Sequence, residues 1–76
     1  MKLLQEEFEH PTQASVVRLR VFEQGPGFLV TEERQGAAAV YSTLGLLDTR
    51  EAAEACVRRR AEQLQAQRYR KVQPAA

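Results

Sequence analysis

The sequence predicts an α+β fold, a small antiparallel three- or four-stranded meander covered by one C-terminal α-helix. Three observations carry this. Residues 16–23 alternate β-branched and aromatic side chains with arginines, the pattern of a half-buried strand. Two turn signals, Gln24-Gly25-Pro26-Gly27 and Gln35-Gly36, fold the chain back on itself. After Thr49 the chain runs to about Gln67 without Gly or Pro and is rich in Ala, Glu, Arg, Gln and Leu, all strong helix formers. A sheet face needs a cover, and sheet plus helix is the minimum of two layers. All 76 residues form a single domain.

In chain order, residues 2–9 fit either period. Leu4 and Phe8 share one helical face, and they also share one strand face with Glu6 between them; an edge strand is the preferred reading. Pro11 ends the element, and residues 10–13 read as a loop containing His10, the one histidine. In strand 16–23, Val17, Leu19 and Val21 point one way, while Val16, Arg18, Arg20 and Phe22 point the other. Strand 28–34 returns antiparallel, with Phe28 and Val30 on one side and Leu29 and Thr31 on the other. A third run, 38–44, ends where Gly45 releases the chain towards the helix.

The helix is expected over about 49–67. Asp48 and Glu51 stand three apart, the spacing of an N-cap and a reciprocating N3 carboxylate. Ala53, Cys56, Val57, Ala61 (or Arg60) and Leu64 form one apolar stripe. Cys56 is therefore expected to be buried and unreactive. Tyr69-Arg70-Lys71-Val72 pairs with a sheet edge or extends, and the tail 73–76 frays.

Charge limits the function classes. Net charge is +1, but residues 1–33 hold three basic groups against six acids (−3), and residues 34–76 hold eight against four (+4). Such asymmetry suits a polarised binding face or self-association. No run approaches the ~20 apolar residues of a membrane span. A single cysteine excludes an internal disulfide and a multi-cysteine metal site, so a cytoplasmic setting is the simplest expectation. Glu6-Glu7 and Glu32-Glu33 are neighbours that point to opposite strand faces. Gly25-Pro26-Gly27 lacks a phosphate-loop lysine. No enzyme, cofactor or metal is expected.

The candidate binding residues are basic. Arg18 and Arg20 share one sheet face. Arg58, Arg59 and Arg60 are consecutive, and Arg34, Arg68, Arg70 and Lys71 add to the basic half. Arginine forks match phosphate, but consecutive helical residues point about 100° apart and cannot all meet one ligand.

The order of pieces ending in Leu47-Asp48-Thr49-Arg50-Glu51-Ala52-Ala53, a basic helix and Arg68-Tyr69-Arg70-Lys71-Val72 resembles a WGR domain. In this chain Glu33-Arg34-Gln35 stands where the family's tripeptide would fall, and there is no tryptophan. The resemblance implies a small antiparallel sheet with a covering helix and, as in several such domains, DNA binding. Two functional expectations follow. One is an accessory nucleic-acid-binding module for DNA or RNA, weak and non-specific in sequence. The other is a protein-interaction or oligomerisation domain whose acidic strands meet a basic helix.

Overall fold

The computed structural model describes residues 2–72. Five strands and one helix follow in the order β1 (Lys2–Glu9), β2 (Val16–Gln24), β3 (Gly27–Gln35), β4 (Ala39–Leu47), α1 (Arg50–Ala66) and β5 (Arg70–Lys71). The strands form one antiparallel sheet in the order β4-β3-β2-β1-β5. The expected α+β meander with its covering helix is thus the fold. Residues 2–9 form a strand, and its antiparallel pairing with β2 resolves the ambiguity of Leu4 and Phe8. The tail 73–76 lies outside the described residues.

Alternation on β2 sorts the two faces. Val17, Leu19 and Val21 are buried under the helix with Phe8 and Val30, and Ala53, Val57 and Leu64 close the core from above. The predicted stripe on α1 is therefore the one that packs. The β2–β3 hairpin turns on Gly25-Pro26, with Gln24 opposite Gly27 and Gly25 at φ 58°. Positive φ at the first loop position and proline at the second fit a two-residue type II′ turn.

Most strand and helix ends fall within a residue of expectation, and the junction of β4 and α1 differs in two respects. β4 does not stop at Gly45; it continues to Leu47 by way of a bulge, because Val30 pairs with Gly45 and Thr31 with Thr43, leaving Leu44 extra. Leu44 continues the helix-side alternation of Val40 and Ser42 and packs on the core. The bulge shifts the alternation beyond it, so that Leu46 pairs with Leu29 on the opposite face. The helix cap is Thr49 and not Asp48. Thr49 Oγ1 accepts a hydrogen bond from the Ala52 amide at 3.1 Å. Both residue types can cap, and the strand running on to Leu47 sets the start one residue later than the Asp48–Glu51 spacing suggests.

The helix ends in a Schellman arrangement. The Tyr69 amide donates to the Leu64 carbonyl and the Arg68 amide to the Gln65 carbonyl, both at 3.0 Å. Arg68 occupies the left-handed position at φ 74°, where glycine is usual. Tyr69 then buries its ring beside the core, and its hydroxyl meets Ser15 Oγ at 2.9 Å. His10 sits edge-on to that ring, 5.2 Å between centroids, and its Nδ1 accepts from the Thr12 and Gln13 amides. The histidine is a loop organiser. Beyond Tyr69, β5 pairs with β1 only at Phe8 and Glu9.

Candidate functional site

On the face away from the helix, register places Glu7, Arg18, Glu33 and Tyr41 in one row across β1 to β4. Arg18 Nε donates to Glu7 at 2.8 Å, and Arg20 reaches Glu33 at 2.8 Å. The Tyr41 hydroxyl donates to Glu33 at 3.0 Å. Glu33 is only 5% exposed under these groups. Burial acts to raise its pKa. Hydrogen bonds from Tyr41 and Arg20, with the attraction of Arg20 and Arg18, outweigh that and hold the carboxyl below its usual value. The hydrogen bond to Glu33, and then its charge, push the Tyr41 phenol up. Arg18 and Arg20 do share a face, as their spacing predicts. Carboxylates already occupy both.

The helix side repeats the theme. Glu32 is 8% exposed, and Arg60 holds both of its oxygens, through Nε to Oε1 and through the second fork to Oε2 at 3.3 Å. That hydrogen bond is the first cause of the raised Arg60 pKa. Arg34 approaches the same carboxylate less closely, at 3.7 Å. Its Nε is buried with no hydrogen-bond partner among the described residues. Two guanidiniums thus share one carboxylate.

The remaining candidates scatter. Arg70 pairs with Glu9 at 3.3 Å and Lys71 with Glu6 at 2.9 Å, at the β5 edge. Arg58, Arg59 and Arg68 are exposed, with no ion pair among the described residues. Of the consecutive arginines, Arg60 turns to the sheet and the other two to solvent. The structure does not bring the basic candidates onto one surface. Arg58 lines an open groove between α1 and β1, where Glu6, Glu54 and Glu62 outnumber it and Lys71.

Cys56 is half-buried rather than buried. It packs on the core edge but also lines a small cleft with Leu44, Arg59, Arg60 and Gln63. The correction follows from the helix lying chiefly over β3 and β4, where its flank stays open at the sheet margin. Among the described residues no cluster of His, Cys, Asp and Glu could hold a metal ion. No described helix is long and apolar enough to cross a membrane.

The strand over 38–44 is the expected one; the feature not anticipated from sequence is the open edge that β4 presents. Among the described residues it is the last strand of the sheet, paired on one side only. Residues 35–47 carry no charge in a chain that is 28% charged. The exposed large hydrophobics among the described residues are Val40 (54%), Tyr41 (70%) and Leu46 (64%), and all three lie on this strand. Edge strands are commonly protected by charge, proline or a covering element. Up to its bulge, β4 has none of these. Its unbroken uncharged run was visible in the sequence, but its edge position was not.

No family model matches the chain, and no curated protein or solved structure matches it.

Proposed function

We propose that this domain is a non-catalytic protein-interaction module that takes an extended segment of a partner onto the open edge of β4. The observation that carries this is the coincidence of an unpaired, uncharged edge with the exposed Val40, Tyr41 and Leu46. Unpaired backbone groups supply affinity in strand addition, and alternate side chains supply selectivity. The sheet beneath is held in register by the Glu33 network, so the edge is a rigid template. A reducing, cytoplasmic setting suits the single free thiol.

Selection from a library of extended peptides tests this. Peptides retained by the domain should lose binding to a Val40→Lys/Leu46→Lys variant, because charge on an edge opposes strand addition. Retention that is indifferent to this variant would overturn the reading.

A second reading, a weak and non-specific nucleic-acid contact of the kind the WGR resemblance implies, is favoured only by Arg58, Arg59 and Arg68, which have no ion pair among the described residues. Fluorescence anisotropy of duplex and single-stranded oligonucleotides at low salt tests it. Binding that falls steeply with salt and vanishes in Arg58→Glu/Arg59→Glu would support it. Absence of binding at low salt would remove it.

A further inference from the structure

The two margins of β4 differ in charge, and this bears on what the edge accepts. Before the bulge, Val40 and Ser42 face the helix side, since their partners on β3 are Arg34 and Glu32; Leu44 packs on the core from the same side. Arg34 lies across from Val40, while Arg59 stands beside Leu44 in the small cleft at the α1 flank. Glu32 compensates one of the pair Arg34 and Arg60, leaving one positive charge, and Arg59, with no ion pair among the described residues, adds a second. The nearest acids in sequence, Asp48 and Glu51, follow the far end of the strand, beyond the bulge. On the opposite face the strand offers Tyr41 and Thr43, which are uncharged.

We infer that the occupant of the β4 edge is an extended acidic peptide segment with carboxylates at positions i and i+4 on its helix-side face. This rests on the interaction reading above and names the partner's chemistry. Four residues of strand span ~13 Å, the length from Val40 to Leu44 and hence the run from the Arg34 end to the Arg59 end. Carboxylates four apart share one strand face, so both meet guanidiniums while the residue between them packs by Ser42. Val40 borders one carboxylate and the half-buried Cys56 the other. A second copy of this chain fits less well. Antiparallel pairing of two β4 strands sets the basic margins of both on the same side. About Thr43 as centre it also opposes Val40 to Leu46, which the bulge has turned to opposite faces.

The probe is a seven-residue peptide with aspartate at its second and sixth positions, valine at the fourth and threonine between. Controls carry asparagine or lysine in place of aspartate. Binding is measured by isothermal titration and by the rate at which a thiol reagent modifies Cys56. The aspartate peptide should bind roughly tenfold more tightly than the asparagine peptide, from two partly exposed charge pairs, and should slow modification of Cys56. In Arg59→Glu the preference should move towards the lysine peptide. Equal binding of aspartate and asparagine peptides, lost in Val40→Lys/Leu46→Lys, would overturn the acidic partner while leaving strand addition intact. Binding of none of the three, or dimerisation of the chain that this variant abolishes, would overturn the inference.

Discussion

Arg60 on the helix and Glu32 on β3 form the ion pair that joins helix to sheet among the described residues, with both carboxylate oxygens engaged. The carboxylate is nearly covered, and Arg60 supplies its close hydrogen bonds while Arg34 stays 3.7 Å away. Arg60→Ala should destabilise the domain by roughly 2 kcal/mol, the scale of hydrogen bonds to charged groups. Replacing both partners, Arg60→Met with Glu32→Leu, should recover much of that loss. Urea unfolding of the two single variants and the double variant gives the coupling. Additive losses would show that the pair contributes nothing beyond its parts.

The cap is a second check on the fold. Thr49→Ala should cost about 1 kcal/mol and lower the melting midpoint by roughly 4–8 °C. Asp48→Ala should move it much less, since Thr49 holds the Ala52 amide. Equal effects of the two substitutions would place the helix start elsewhere.

At the other end of α1, Arg68 pays for a left-handed backbone that glycine adopts without steric cost. Arg68→Gly should raise stability by roughly 0.5–1 kcal/mol, the relief of a left-handed L-residue less the entropy of glycine. Thermal melts decide it. An unchanged or lower midpoint would mean that the arginine side chain compensates its own strain.

Acid sensitivity should centre on Glu33. Its folded pKa lies below its unfolded value, ordinarily about 4.3, so its contribution to stability is fully present above that value. It is lost as pH falls through the lower folded value. Glu33→Gln should therefore be less stable than the parent at neutral pH and should show a flatter decline on acidification. The phenol of Tyr41 should return towards its ordinary value in the same variant, read from phenolate absorbance. Parallel stability profiles for parent and variant would contradict this.

How much of this was legible in the sequence depended on the range of the signal. Alternation at Val17, Leu19 and Val21 and the stripe Ala53, Val57 and Leu64 are local patterns, and each of these residues is buried. The adjacent acids Glu32 and Glu33 were readable as pointing to opposite faces, which their different arginine partners bear out. The identity of those partners was not readable, because it depends on register between strands and on the crossing of α1. Thr49 and Asp48 are both good caps, and the choice between them turns on a bulge at Leu44 that Gly45 only permits. The charge-free run 35–47 stood in plain view. Its meaning depended on β4 lying at the sheet's edge, which strand order settles and composition does not.

The most direct measurement of strand addition is nuclear Overhauser contact between the aspartate peptide and isotope-labelled domain. We expect contacts between peptide backbone protons and those of residues 39–44, with slowed amide exchange along the same residues and none along the β1 edge. Contacts confined to Lys2–Glu6, or to the exposed arginines of α1, with β4 unchanged, would contradict it.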